Sequence, residues 1–119
     1  MPFLSASTNG EGILVTGVNS AAAIVIDASA IDLDNEGNEL AINHQSYSIQ
    51  ATNLSDSDVV LTLEWGGKAA NNLIKHTIVA NSGITPVISG LTLKEPTEIK
   101  AFAATADVVV IYGMKQRTN

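Results

Sequence analysis

Between residues 46 and 112 apolar and polar positions alternate in short runs broken by turn residues. The clearest run is Val59-Val60-Leu61-Thr62-Leu63-Glu64-Trp65, closed by Gly66-Gly67. Val59, Leu61, Leu63 and Trp65 fall on one face, and Val60, Thr62 and Glu64 on the other. A period of two over such a run predicts a half-buried β-strand. Tyr47, Ile49 and Ala51 alternate with Ser48, Gln50 and Thr52 in the same way. The polar stretch Asn53-Leu54-Ser55-Asp56-Ser57-Asp58 between the two runs predicts an antiparallel hairpin.

The rest of the chain reads similarly. Ile13 to Val18 is a first strand candidate. Ala23 to Ala28 is a second, because consecutive Ile24, Val25 and Ile26 are β-branched and outweigh the helical tendency of the preceding alanines. Asp32 to Asn38 is a polar turn in which Gly37 supplies positive φ, and Glu39 to Asn43 resumes as a short strand. Leu73 to Ala80 places Ile74, His76 and Ile78 on one face. Thr85 to Ile88 extends towards Leu91-Thr92-Leu93, with Pro86 restricting it to an edge or a strand end. Glu98 to Ala103 follows the Lys94-Glu95-Pro96-Thr97 turn. Val108 to Tyr112 is apolar on both faces and is expected at the centre of a sheet or under a partner.

Turn signals every 8–12 residues without a convincing helix predict an all-β domain. The expectation is an antiparallel β-sandwich of seven to nine strands, jelly-roll or Ig-like, spanning residues 13–113. An N-terminal arm (1–12) with an apolar tip at Phe3-Leu4 either frays or docks on a neighbour. A polar tail (114–119) closes the chain. Its 119 residues suit one domain and bury roughly 65% of the unfolded surface.

Charge sharpens the picture. Only 15% of residues are charged, the formal net charge is −6, and no Lys or Arg precedes Lys68. Nucleic-acid binding needs clustered basic residues, so it is not expected. Met1-Pro2-Phe3-Leu4 lacks the pattern of a signal peptide, and no apolar run is long enough to span a membrane as a helix. With 45% hydrophobic residues, Ser, Thr, Asn and Ala occupy places where Lys and Glu normally solvate a surface. That pattern suggests a subunit that hides part of its surface against copies of itself or a larger scaffold.

Candidate chemistry is sparse. Cysteine is absent, which removes disulfides and thiol nucleophiles. Asp32-Leu33-Asp34-Asn35-Glu36-Gly37 resembles the start of a calcium loop, since alternate carboxylates can converge on a hard cation. Asn43 stands where a bidentate Glu is required, so a solvated turn is the expectation. His44 and His76 have no ligand partner at metal-binding spacing. A triad of His76, Ser89 and Asp107 lacks any nucleophile motif, and Gly66-Gly67-Lys68 lacks the spacing of a phosphate loop. No catalytic residue, cofactor or metal is therefore expected. Trp65 and Tyr112 are the aromatics best placed for a binding role, with Trp65 expected in the core.

Three segments carry a resemblance. They are Tyr47 to Asn53 with Asp58 to Leu63, then Ile88-Ser89-Gly90-Leu91-Thr92-Leu93, then Glu98 to Gly113 with its Ile99, Ala101 and Ala103 leading into the last apolar strand. Together, over residues 46–113, they resemble small β-sandwich virion proteins of tailed bacteriophages. The resemblance implies a non-enzymatic capsid decoration (cement) protein that forms a homo-oligomer, a trimer, binds the major capsid protein and sits on the capsid surface of a virion assembled in the host cytoplasm. The alternative it implies is a tail, baseplate or fibre module recognising a host-surface glycan or another tail protein. On this reading the contact residues are Phe3 and Leu4 on the arm, with Val109 and Ile111 on the outer face of the last strand.

Overall fold

The computed structural model describes residues 3–7, 9–29, 36, 44–94 and 97–118. Among the described residues eight strands are present: β1 (Ile13–Leu14), β2 (Ile24–Ser29), β3 (His44–Asn53), β4 (Val59–Trp65), β5 (Leu73–Ile78), β6 (Thr85–Lys94), β7 (Thr97–Ala103) and β8 (Val109–Thr118). They form two four-stranded sheets, ordered β1-β8-β3-β6 and β2-β7-β4-β5. Every pairing is antiparallel. The chain is an all-β sandwich, as its alternation predicts.

The pairing is nested. β1 lies beside β8, β2 beside β7, β3 beside β6 and β4 beside β5. A long double-stranded ribbon is thus rolled so that its successive segments fall alternately in one sheet and the other. This is the jelly-roll solution to sandwich packing, and it decides between the two sandwich types expected. Only β4 and β5 follow one another within a sheet.

The hairpin expected from β3 to β4 is therefore a correction. β3 pairs with β6 and β8, whereas β4 pairs with β5 and β7. The intervening Leu54–Asp58 segment turns a corner between the layers. Asn53 drives the corner: its buried amide donates to the carbonyls of Ser57 and Ile78 at 2.7 and 2.9 Å and accepts from the Ser55 amide at 2.9 Å. Alternation tells which face of a strand is buried but not which strand lies beside it.

Other elements follow their sequence signals. β4 occupies the seven residues of the clearest run. β8 lies inside its sheet, and Pro86 lies on β6, an edge strand where its missing N–H costs no ladder bond. The alanines before β2 contribute one 3₁₀ turn, Ser20–Ala22, with Asn19 capping the Ala22 amide. β8 also continues to Thr118, so most of the expected polar tail is strand.

The inward faces bury Ile49, Ala51, Ile88 and Ile111 from one sheet and Leu61, Leu63, Ile99 and Ala101 from the other. Tyr47 and Trp65 meet across the layers edge to face, with centroids 5.2 Å apart. Such a pair adds about 0.5–1.5 kcal/mol beyond its burial.

Candidate functional site

Three of the four expected contact residues, Leu4, Val109 and Ile111, are buried rather than on the surface. Val109 and Ile111 are both 0% exposed and point into the core, which corrects their placement on an outer face. The outward positions of β8 are Val110, Tyr112, Met114 and Gln116. They register with Thr52, Gln50, Ser48 and Ser46 of β3, on the face away from buried Ile49 and Ala51. Polarity does not reveal this phase, because Lys115 shares it with Val109 and Ile111. Its ammonium turns inward onto Asp27 at 2.7 Å.

Leu4 is also a correction. It is buried within its own chain, as is Ser7. Phe3 is half-buried and bridges Met114. The segment expected to reach a neighbour instead lies on its own sandwich, between β8 and the edge strand β2. The reason is Asp27, a buried carboxylate that needs donors. Strict alternation from Ile24 would aim Asp27 outward, but the register with β7 shifts between Val25 and Asp27. The resulting bulge leaves both Ile26 and Asp27 buried. Its carboxylate accepts from the Tyr47 hydroxyl at 2.5 Å, from Lys115 Nζ at 2.7 Å and from the Ser5 amide at 2.8 Å. In return the Ser5 hydroxyl accepts from the Ala28 amide at 2.8 Å. Burial pushes the Asp27 carboxyl pKa up most strongly. The bonds from Lys115, Tyr47 and Ser5 and the lysine charge together outweigh it, so it lies below the usual carboxylate value. This junction ties the N-terminal segment, β2, β3 and β8 together.

Two surfaces remain for binding. The first is the loop end, formed by the β1–β2, β3–β4, β5–β6 and β7–β8 connections. Backbone bonds stitch these loops together: the Leu54 amide to the Val108 carbonyl at 2.7 Å, Asp107 to Val15 at 3.0 Å and Ala103 to Gly17 at 3.1 Å. The Ala80 amide donates to Asp58 Oδ1 at 3.1 Å. Asn81 and Asp107 hold positive φ, 57° and 63°, which their short polar side chains tolerate. On this frame Val18, Leu54, Val79 and Ile84 are 48–64% exposed. Leu54 stands in an expected turn and Ile84 follows one, whereas Val18 and Val79 fall at the ends of expected strands, residues 13–18 and 73–80. The charged residues described in these loops, Asp56, Asp58 and Asp107, are all acidic.

The second surface is the outer face of the β1-β8-β3-β6 sheet. Leu14, Val110, Tyr112 and Met114 form an apolar row beside Ser46, Ser48, Gln50 and Thr52. The outer face of the other sheet carries Lys75, Glu98 and Lys100 instead. There Glu64 is buried and accepts a short hydrogen bond from the Ser20 hydroxyl, so the β1–β2 connection lies against this face.

The remaining sequence candidates do not assemble. Ser89 lies on the outer face of one sheet and His76, registered with Leu61, on the inner face of the other, so the triad does not converge. Trp65 is packed on Tyr47 rather than displayed. Asp32, Asp34 and Asn43 of the calcium-like loop, Gly37 and the Glu39–Asn43 strand lie outside the described residues; Glu36 is exposed. Among the described residues no group of three or more His, Cys, Asp or Glu could hold a metal ion, and no described helix is long and apolar enough to cross a membrane.

No protein-family model matches the chain, and no curated protein or solved structure is detectably similar to it.

Proposed function

We propose that this chain is a non-enzymatic structural protein of a tailed-bacteriophage virion, a decoration or cement protein that sits as a homo-oligomer on the major capsid lattice. The observation that carries this reading is the loop end, where exposed aliphatic side chains stand on a hydrogen-bonded frame at one end of a jelly roll. Such a frame is preorganised, so little ordering cost opposes docking. Jelly rolls recur in viral coat proteins and in lectins, which supports the class by analogy of fold. The sequence resemblance over residues 46–113 supports it independently.

The mechanism is mass action. A protein that binds the assembled shell and not its free subunits shifts the equilibrium towards the shell. Several loop ends held in one oligomer add avidity, so modest individual contacts suffice. Contact runs through Val18, Leu54, Val79 and Ile84 rather than through Val109 and Ile111. The acidic residues beside them favour a lattice surface with basic residues at the rim of its apolar patch.

The test adds purified chain to expanded capsids of its own phage. Wild type should co-sediment with them and raise their melting temperature. Leu54→Asp combined with Ile84→Asp should fold normally and fail to attach. Attachment to tails instead of heads would move the protein to a tail or fibre role, and attachment by the double variant would remove the loop end from the mechanism.

A further inference from the structure

On the outer face of the β1-β8-β3-β6 sheet no described side chain is charged. The described side chains there include Leu14, Val110, Tyr112 and Met114 with the serines, threonines and glutamines of β3, β6 and β8; His44 and Lys94, in register at one end, lie outside the described side chains. Lys115 registers with buried Tyr47 on the inner side of the sheet, and its ammonium meets Asp27 there. The acidic residues of the described chain lie elsewhere: in the core (Asp27), in loops (Glu11, Glu36, Asp56, Asp58, Asp107) or on the opposite sheet (Glu64, Glu98).

We propose that this face is where copies of the chain pack against one another. The inference rests on the reading of the chain as an assembly subunit and names the surface that assembly uses. Three observations select a second copy as the occupant. First, a chain of net charge −6 repels itself wherever its charges are brought together, and this face is the one that a like-charged copy can approach without that penalty. Second, its size suits a weak contact. The described side chains run over eight or nine residues on each of β3, β6 and β8. At about 3.3 Å per residue and 4.8 Å between strands they span about 400 Å², or about 800 Å² counted on both copies. That is the range of weak, transient association. Third, its centre is shaped to receive a side chain. Where Ser46 and Ser48 pair with Gln116 and Met114, a depression of about 250 Å³ opens, bounded also by Lys115. Depletion of charge with Tyr and Met at the centre is the composition of an interface core.

Gly12 keeps the edge of this face low. A Cβ there would lie 2.3 Å from Val110 Cγ1 and 3.0 Å from Tyr112 Cζ, so any side chain at position 12 would push both residues out of the row.

Sedimentation velocity on the full chain tests the proposal. Wild type should sediment as an oligomer, and added salt should strengthen it, because screening weakens repulsion between the acidic bodies while the contact contains no ion pair to lose. Ser48→Lys combined with Met114→Lys should reduce the particle to the 12.4 kDa monomer with its melting temperature unchanged, since both side chains face solvent in the monomer. Lys75→Glu combined with Lys100→Glu, on the opposite sheet, should leave the oligomer intact. A wild type that stays monomeric at its highest soluble concentration would overturn the proposal, as would an oligomer that survives the Ser48/Met114 change. A monomer that still binds capsids refutes this inference alone. An oligomer that dissociates as expected but ignores capsids supports the inference and refutes the decoration reading.

Discussion

The two outer faces of the sandwich are built from the same kind of strand and differ in how they meet water. On the β2-β7-β4-β5 sheet, Val25 and Val60 are each 39% exposed, but Lys75, Glu98 and Lys100 stand among them, and Lys100 pairs with Glu98 at 3.5 Å. That face is solvated by charge. On the β1-β8-β3-β6 sheet, Met114 is 55% exposed and Leu14 43% exposed, with no described charged side chain on their face. The exposed charges among the described residues thus stand on one sheet face and in the loops.

The largest expected effect breaks the frame on which both faces stand. Asp27→Ala removes the carboxylate to which the largely buried Lys115 ammonium and the Tyr47 hydroxyl both donate. Removing one member of a buried pair costs about 3–5 kcal/mol, so urea unfolding should show a loss of that order. A loss below about 1 kcal/mol would mean that the junction does not hold the sheets together.

The same carboxylate makes acid a probe. Its pKa is lower in the folded chain than in the unfolded one, so the unfolded state binds the proton first as pH falls. The stability it contributes is fully present above the unfolded value of about 3.9 and is lost as pH drops through the lower folded value. Melting temperature measured from neutral to acid should fall more for wild type than for Asp27→Asn, whose side chain does not titrate. Parallel curves would contradict this.

A smaller effect is expected at the loop end. Asn53→Ala leaves the Ile78 and Ser57 carbonyls without their side-chain donor and should cost about 1–3 kcal/mol, together with faster amide exchange at Leu54 and Ala80. The smallest is on the charged sheet face. Lys100→Ala removes an exposed ion pair and should change stability by less than about 1 kcal/mol, with no change in association state. A marked change in association would erase the distinction between the faces.

Much of the fold was legible in the sequence, and the failures share a physical cause. The Val59–Trp65 run marks β4 because its two faces differ so clearly in polarity. Pro86 marks an edge strand because it lacks a donor. Val108-Val109-Val110-Ile111 marks an interior strand but not its phase, since both faces are apolar. Lys115 does not reveal the phase either, because its partner Asp27 lies 88 residues away and is re-aimed by a bulge that no local pattern announces. The β3–β4 pairing was misassigned for a similar reason. Alternation records burial, whereas strand neighbours in a jelly roll are set by the nesting of the whole ribbon. Of the loop-end aliphatics, Leu54 stood in an expected turn, but Val18 and Val79 were expected to end strands. Only the fold brings Val18, Leu54, Val79 and Ile84 to one end.

The most direct test of the contrast between the faces is hydroxyl-radical footprinting of the full chain over a range of concentrations. As concentration rises, Met114 and Tyr112 should lose reactivity together while Phe102, on the outer face of the opposite sheet, keeps its own. Reactivity of Met114 and Tyr112 that stays constant across the series, or protection that appears first at Phe102, would contradict the account.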